Sequence, residues 1–307
     1  MALTLIEAAK KNSGDVLRAA TIETYARNSD ILRILPFENI AGGALKYNQE
    51  QALPGIGFRG VNEGYTESTG VINPVTEPLV IAGGDLDVDK FILKTMGQDQ
   101  RTTQEVMKIK SLAHRWSLAF VKGDSSAATK EFDGLQTRLT GSQLVWNAAG
   151  AGGALSLQKL DELIDTVDNP THLLMSRATR RSLTSAQRNP SVGGYITYSK
   201  DEFGRQITLY NDLPILVADA NGDAYAAIAY NEAGQSGGST CTSIYAISVG
   251  DGMLTGIQND DPMVTDLGEL EAKPVLRTRV EWYAGIAMFH PRCAARLGGI
   301  TAGAVTA

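Results

Sequence analysis

The sequence predicts an α+β protein, and three observations carry that reading. A polar, glycine-studded stretch from Leu45 to Ile81 has strand-like runs at either end and few large apolar residues between them. It runs directly into a long amphipathic helix. Beyond Gly123, strands and helices alternate until a final long strand with period-two alternation. The first stretch cannot build a core of its own, so it reads as two extended arms folded back on each other. Structureless loops longer than ~12–15 residues are uncommon in compact domains and are usually functional or disordered. A hairpin arm of this size finds its packing partners on another molecule, which points to a protein whose task is to assemble.

Ahead of that arm, Thr4 to Asn12 reads as a short helix, and Ser13 or Asp15 caps a second one running to about Arg27. Its apolar stripe (Val16, Ala19, Ala20, Ala26) is thin. Ile31, Leu32, Ile34, Leu35 and Phe37 follow as an apolar patch broken by Pro36. This leader lies on something else, either its own chain or a neighbour. Asp85, Asp87 and Asp89 then put negative charge near the start of the long helix, where the macrodipole favours it. Val106, Ile109, Ala113, Trp116 and Phe120 recur at three- and four-residue steps and mark one buried face. Taken from Asp87 to Lys122, this spine would extend roughly 50 Å at ~1.5 Å per residue, and Gly97 can interrupt it near its start.

Leu144–Trp146 and His172–Met175 read as strands, and Leu157–Val167 and Arg177–Arg188 as helices with the arginines mostly outward. Ile207–Tyr210 and Ile215–Val217 flank a turn at Asn211-Asp212, and Ala224–Tyr230 and Thr242–Val249 read as further strands. In Lys273–Phe289, Leu276, Thr278, Val280, Trp282 and Ala284 point one way and Arg277, Arg279, Glu281 and Tyr283 the other. One face is therefore buried against the long helix and the other is charged. The small-residue tail from Gly298 to Ala307 reads as loosely held.

Composition excludes several classes. Hydrophobic residues make up 43% of the 307 and charged residues 20%, ordinary for a globular chain. A net charge of -6, from 28 Lys+Arg against 34 Asp+Glu, argues against tight nucleic-acid binding through phosphate neutralisation. No run reaches the ~18 apolar residues of a membrane span, and the start lacks the pattern of a secretory signal. Two cysteines, Cys241 and Cys293, form no disulfide framework and read as buried thiols of a soluble chain in a reducing compartment.

Catalytic patterns are weak. Gly234-Gln235-Ser236-Gly237-Gly238 is a formal G-x-S-x-G, but a strand-like run follows it where the hydrolase elbow needs a helix, so it reads as a flexible hairpin loop. His290, with Asp266 and Glu269 before it, would complete a triad only by force. The AGAGG run at Ala149–Gly153 lacks both the G-x-G-x-x-G spacing and the lysine of a phosphate loop. His114, His172 and His290 are isolated and unpaired at ligand spacing. No cofactor, metal or nucleophile constellation emerges. Lys46, Glu50, Arg59, Glu63 and Glu67 are different, because they sit on an arm with little core to belong to. They make salt bridges to adjacent copies or remain solvated.

Several local runs occur in a telling order. They are DILRILPFENIAGG closing the leader, GGDLDVDK before the spine, EFDGLQTRL at Glu131–Leu139, YNDLPILVAD, SVGDGMLTGIQ, and the closing RTRVEWYAGIAMFHP. In this order the elements resemble the major capsid protein of tailed bacteriophages, the Hong Kong 97-type shell fold, over nearly the whole chain. The resemblance implies an N-terminal arm (1–40), an extended loop (41–84), a peripheral domain with the spine helix (85–138 and 259–307) and an axial domain (139–258). It implies a structural subunit, not an enzyme, that forms hexamers and pentamers of an icosahedral shell. Such a shell encloses phage double-stranded DNA without sequence-specific binding.

Implied partners are further copies of the chain, a separate scaffolding protein, a portal and a decoration protein, with no membrane. The subunit would be made in the bacterial host cytoplasm and end in the virion. The leader before Asp30 is short, which implies either a processed end or a separate scaffold, and Met1 favours the scaffold. Lys46 is the only lysine of the loop and lies near its base, so the lysine–asparagine cross-links of some relatives are not expected. An encapsulin-type nanocompartment shell, which shares the fold and encloses enzymes, is the alternative. A serine hydrolase using Ser236 is a remote one.

Overall fold

A computed structural model describes residues 3–4, 29–96, 99–128, 130–188, 196–200, 206–218 and 227–306. The first sheet contains β1 (Leu3–Thr4), β2 (Pro36–Asn39), β5 (Val80–Asp89), β13 (Leu254–Gln258), β14 (Met263–Glu269) and β15 (Val275–Met288). Strand β15 organises it. Ala284 pairs with Val80 of β5 on one side and Gln258 of β13 on the other, and β14 continues the β13 edge along Leu276–Glu281. The expected alternation holds: Thr278, Val280, Trp282 and Ala284 are all buried.

That buried face meets the spine. Helix α1 (Asp30–Ile34) is short, α2 (Lys90–Met96) follows β5, and α3 (Asp99–Lys122) is the spine itself. Ile109, Ala113, Trp116 and Phe120 of α3 are buried, as their spacing required. An aromatic cluster joins the layers: Trp282 lies 5.6 Å from Trp116 and 5.2 Å from Phe37 between ring centroids, within the range of favourable tilted pairs. Removing such a ring costs about 3–5 kcal/mol. The apolar patch of the leader belongs to its own chain here. Ile31, Leu32, Leu35 and Phe37 complete this core, and Ser29 caps α1 while its Oγ lies 2.8 Å from Ser117 Oγ.

Where α3 ends, the FDGL run explains itself. Helix α4 (Leu135–Arg138) begins beside Gly123, and Gly134 N donates to Gly123 O at 2.9 Å. A Cβ on Gly134 would stand 2.5 Å from Ala119 O, so no larger residue fits this crossing. Phe132 and Leu135 fill the core on either side.

The second sheet runs β6 (Leu144–Trp146), β16 (Ala294–Thr301), β12 (Gly237–Ile247), β7 (His172–Met175), β10 (Leu213–Val217), β9 (Gln206–Tyr210) and β8 (Ile196–Lys200), with β11 (Glu232–Gly234) also on β12. Helices α5 (Leu157–Thr166) and α6 (Arg177–Gln187) share its core through Leu160, Leu163, Leu183 and Ala186. Asn211 and Asp212 both have positive φ (48° and 62°), the geometry of the two-residue hairpin turn joining β9 and β10. Strands β3 (Ala44–Ala52) and β4 (Val71–Pro78) pair only with each other, as the extended hairpin.

Four expectations need correction. The long helix does not start at Asp87, because β5 continues to Asp89, and the spine of Asp99–Lys122 spans about 36 Å at ~1.5 Å per residue. Asp85 and Asp87 therefore sit on a strand opposite Arg279 and Arg277, and only Asp89 serves a helix start, accepting from Phe91 N at 2.7 Å. The tail from Gly298 is not loose: its first residues belong to β16, which pairs with β12 and β6, Thr306 N donates to Leu155 O at 2.8 Å and Val305 is buried. Arg296 donates to Glu232 Oε2 at 2.9 Å and to Ser243 Oγ at 3.0 Å, a buried ion pair holding the strand. The boundary expected at residue 258 is crossed in both directions, since β13 pairs in the first sheet and β16 in the second. Finally, residues 227–230 form no strand. Thr4 pairs with Pro36 in β1; the rest of the leader helices, Gly97 and residues 224–226 lie outside the described residues.

Candidate assembly surfaces

The hairpin is anchored at its base and unsupported at its tip. Tyr47 donates to Met288 O at 2.8 Å, Gln49 Nε2 donates to the same carbonyl at 3.3 Å, and the Tyr47 ring packs on Phe289 at 4.8 Å. Burial, reinforced by the Glu77 carboxylate, pushes the Tyr47 phenol up to about 12. On β4, Glu77 faces inward and receives both Nη groups of Arg138, with the Nη2–Oε2 contact at 2.7 Å. Bidentate arginine–carboxylate pairs fix orientation as well as adding energy. Ile40, Leu45 and Leu79 close the base with Ile257 and Ala287.

Beyond Ala52 nothing of the chain's own covers the arm. Residues 52 to 70 are all exposed, including Ile56 at 94%, Phe58 at 107% and Val61 at 92% of their possible surface. The tip is nevertheless ordered by its own polar contacts. Ser68 Oγ donates to Gly55 O at 2.9 Å, Arg59 Nη1 to Glu63 O at 3.1 Å, and Gly60 N to Glu63 Oε2 at 2.8 Å, while the Arg59 guanidinium stacks 5.2 Å from the Tyr65 ring.

The five charged residues singled out on this arm do not form one cluster. Arg59 and Glu63 are brought together and shape the tip. Lys46 and Glu50 lie on the exposed face of β3, about 13 Å apart at ~3.3 Å per residue, and Glu67 is exposed on the returning arm.

A charged ladder that sequence reading missed runs along the first sheet. Arg277 clamps Asp87 with two 2.7 Å contacts, and Arg279 clamps Asp85 at 2.7 and 3.0 Å. These hydrogen bonds hold both carboxyls below the usual aspartate range. Both halves were visible as alternating charges, but only the register of β5 on β15 pairs them. Arg101 extends the network to Asp266 at 2.7 Å, and Lys90 reaches Glu269. Between β5 and α3 lies a cavity of about 310 Å³ floored by Ala82, Leu112, Trp116 and Phe132 and rimmed by Lys108 and Lys130.

The catalytic patterns dissolve in place. Ser236 sits in the two-residue turn between β11 and β12, donating its N–H to Gly150 O at 2.9 Å, so the strand-to-helix elbow does not form. The AGAGG loop is packed shut: a Cβ on Gly152 would meet Cys241 Sγ at 2.6 Å. Burial pushes the Cys293 thiol up to about 12 and raises that of Cys241, the opposite of an activated nucleophile. His172 is lowered to about 4 by burial and the nearby Arg33, and His114 is lowered by burial and Lys110. His290 lies 3.7 Å from Asp168, far along the chain from the serine turn. Among the described residues, no group of three or more His, Cys, Asp or Glu could hold a metal, and no helix is long and apolar enough to cross a membrane.

No family model and no curated protein matches the sequence. Solved structures do match. The holo-SrpI encapsulin complex from Synechococcus elongatus PCC 7942 superposes with a TM-score of 0.65 over 90% of this chain and 89% of that one, at 16% identity. The capsid of the native GTA particle gives 0.62 over 90% of each chain, at 17% identity. A structure from Microbacterium phage Oxtober96 gives 0.63 over 89% of this chain and 91% of that one, at 12% identity.

The chain has the Hong Kong 97-type capsid fold. The elements expected from the resemblance are present in their expected order: extended hairpin, spine helix, mixed α/β unit and long closing strand. This is a shell-forming fold shared by phage capsids and encapsulins.

Proposed function

We propose that this chain is a non-catalytic shell subunit that assembles with copies of itself into hexamers and pentamers of a closed icosahedral particle around phage double-stranded DNA. One observation carries the reading: on a shell-forming fold, residues 52–70 of the hairpin are all exposed and present Ile56, Phe58 and Val61 to solvent. A neighbouring copy is the partner that would cover them. Burying such side chains fully gains about 1.5–3 kcal/mol each. A contact of ~4 kcal/mol is only millimolar alone, yet closure makes later contacts effectively intramolecular, so several modest contacts per subunit suffice. Net negative charge keeps a wall from gripping packaged DNA. A separate scaffold, a portal and a decoration protein complete the reading, which places the subunit in the virion after synthesis in the host cytoplasm.

Negative-stain microscopy of the purified protein tests it. Closed shells, capsomer rings or tubes are the expected result, and a stable lone monomer at high concentration, with and without scaffold, would refute it. The encapsulin complex among the structural neighbours favours a second reading, a shell that encloses protein cargo. Nuclease-resistant nucleic acid inside purified particles supports the phage reading, and a co-purifying enzyme with no nucleic acid supports the second.

A further inference from the structure

The cavity between β5 and α3 is an apolar socket that the described residues leave open. Leu112, Trp116 and Phe132 line its floor, and Gly83 and Gly84 leave part of the β5 wall without side chains. At about 310 Å³ it is about twice the size of the ~150 Å³ cavity that takes up benzene, so one aromatic ring fits with room beside it. Trp116 is 2% exposed, yet its indole N–H finds no acceptor among the described residues. A buried donor left unpaired is costly, so the site suits an occupant that brings an acceptor together with an apolar group. Its charged lining is mostly basic: Lys108, Arg115 and Lys130 stand against Glu131, which Arg115 already holds.

The hairpin tip carries the matching set. Phe58 is fully exposed between Ile56 and Val61, and the contacts of Arg59 with Glu63 and of Ser68 with Gly55 order the loop around it before any partner arrives. Residues 52–70 hold Arg59 against Glu63 and Glu67, the opposite balance to the socket. Their backbone between Ala52 and Val71 lies outside the β3–β4 ladder and offers carbonyl acceptors. The socket of the same chain is out of place for this tip. Pairing from Ala44–Pro78 to Ala52–Val71 holds the tip roughly 26 Å beyond the hairpin base at ~3.3 Å per residue, whereas the socket starts at Val80, just past that base.

We propose that the socket receives the hairpin tip of an adjacent copy, with Phe58 on the Trp116–Phe132 floor and Glu67 towards Lys108 and Lys130. This rests on the shell reading and names where the arm docks. An aromatic floor favours an aromatic anchor, and the complementary charges orient the loop around it. Each copy carries one tip and one socket, so each can give and receive whichever symmetry relates the copies.

Cross-linking tests the contact directly. Phe58→Cys and Ser111→Cys proteins are mixed, assembled and treated with a short bis-maleimide; Ser111 lines the socket, and the native thiols Cys241 and Cys293 are buried. A species of twice the subunit mass is expected, well above the yield of Phe58→Cys mixed with Leu267→Cys, an exposed position on β14 outside the socket. Phe58→Ala should raise the threshold concentration for particle formation about tenfold by light scattering, with helical content unchanged by circular dichroism. Ser111→Trp, which fills the socket from its own side, should raise it similarly, and adding Phe58→Ala to it should then cost less than about threefold more, because the contact is already lost. Should Ser111→Trp fail to fold, the cross-link decides. Shells that form without a cross-link above the control, or a Phe58→Ala protein that assembles at the parent threshold, overturn the docking and leave the shell reading intact. A bridge confined to one chain in the double variant Phe58→Cys, Ser111→Cys also overturns it, giving the socket to the chain's own tip. A parent that never forms particles defeats the shell reading, and the docking with it.

Discussion

Replacing Glu77 by alanine separates folding of the hairpin base from function of its tip. Glu77 is 6% exposed and accepts from both Nη groups of Arg138, whose side chain is 17% exposed. Removing one partner of a buried pair costs about 3–5 kcal/mol, because the remaining charge is stranded. Arg138 keeps its Nε donation to the Asp133 carbonyl and retains some contact with water, which brings the expected loss to about 2–3 kcal/mol. At an m-value of about 3 kcal/mol per M, the urea midpoint of unassembled subunits should fall by nearly 1 M. Tryptophan fluorescence reports it, since Trp116 and Trp282 lie in the adjoining core. Replacing both partners by methionine should cost less than Glu77→Ala alone, because no charge is left behind. A midpoint within about 0.2 M of the parent, or a double variant weaker than the single one, would refute the claim that this pair pins the arm.

Three further outcomes follow from the geometry. Arg59→Asp removes the guanidinium from Tyr65 and from the Glu63 carbonyl; it should impair particle formation while leaving monomer helical content and urea midpoint unchanged, and normal assembly would make Arg59 a bystander. His172 stays neutral in the fold down to about 4, whereas the unfolded chain takes up a proton near pH 6.5. Stability from this group is therefore complete above about pH 6.5 and lost as pH falls towards 4, and His172→Gln should flatten that part of a pH–stability curve; an unchanged curve would count against it. Lys46 is exposed at the hairpin base, so particles boiled in denaturant should run as monomers on a gel, and a ladder of multimers would contradict the expectation of no cross-linking.

Much of the architecture was readable in the chain because local chemistry sufficed. Strand β15 announced itself by alternation, the α3 face by its three- and four-residue steps, and the β9–β10 turn by Asn211-Asp212, residues that tolerate positive φ. The extended arm was readable through what it lacked, a set of large apolar residues.

Other features needed tertiary context. Asp85, Asp87 and Asp89 suit a helix start and equally suit a strand edge facing arginines, and only pairing with β15 decides between them. The end of strand β16 was hidden because Gly298 and Gly299 look like tail residues; a Cβ on either would crowd Trp146, at 3.2 and 3.3 Å.

The crossing of β15 into β16 has a consequence for anyone wishing to excise half of the molecule. A gene fragment ending at residue 258 would lack Ala294–Thr301, opening hydrogen-bonding edges on both β6 and β12 that invite aggregation. It would also strand the Glu232 carboxylate without Arg296 in a dry interior. A soluble miniature built on the second sheet therefore has to borrow β16 from the far end of the polypeptide, spliced back by a short linker, and should precipitate without it.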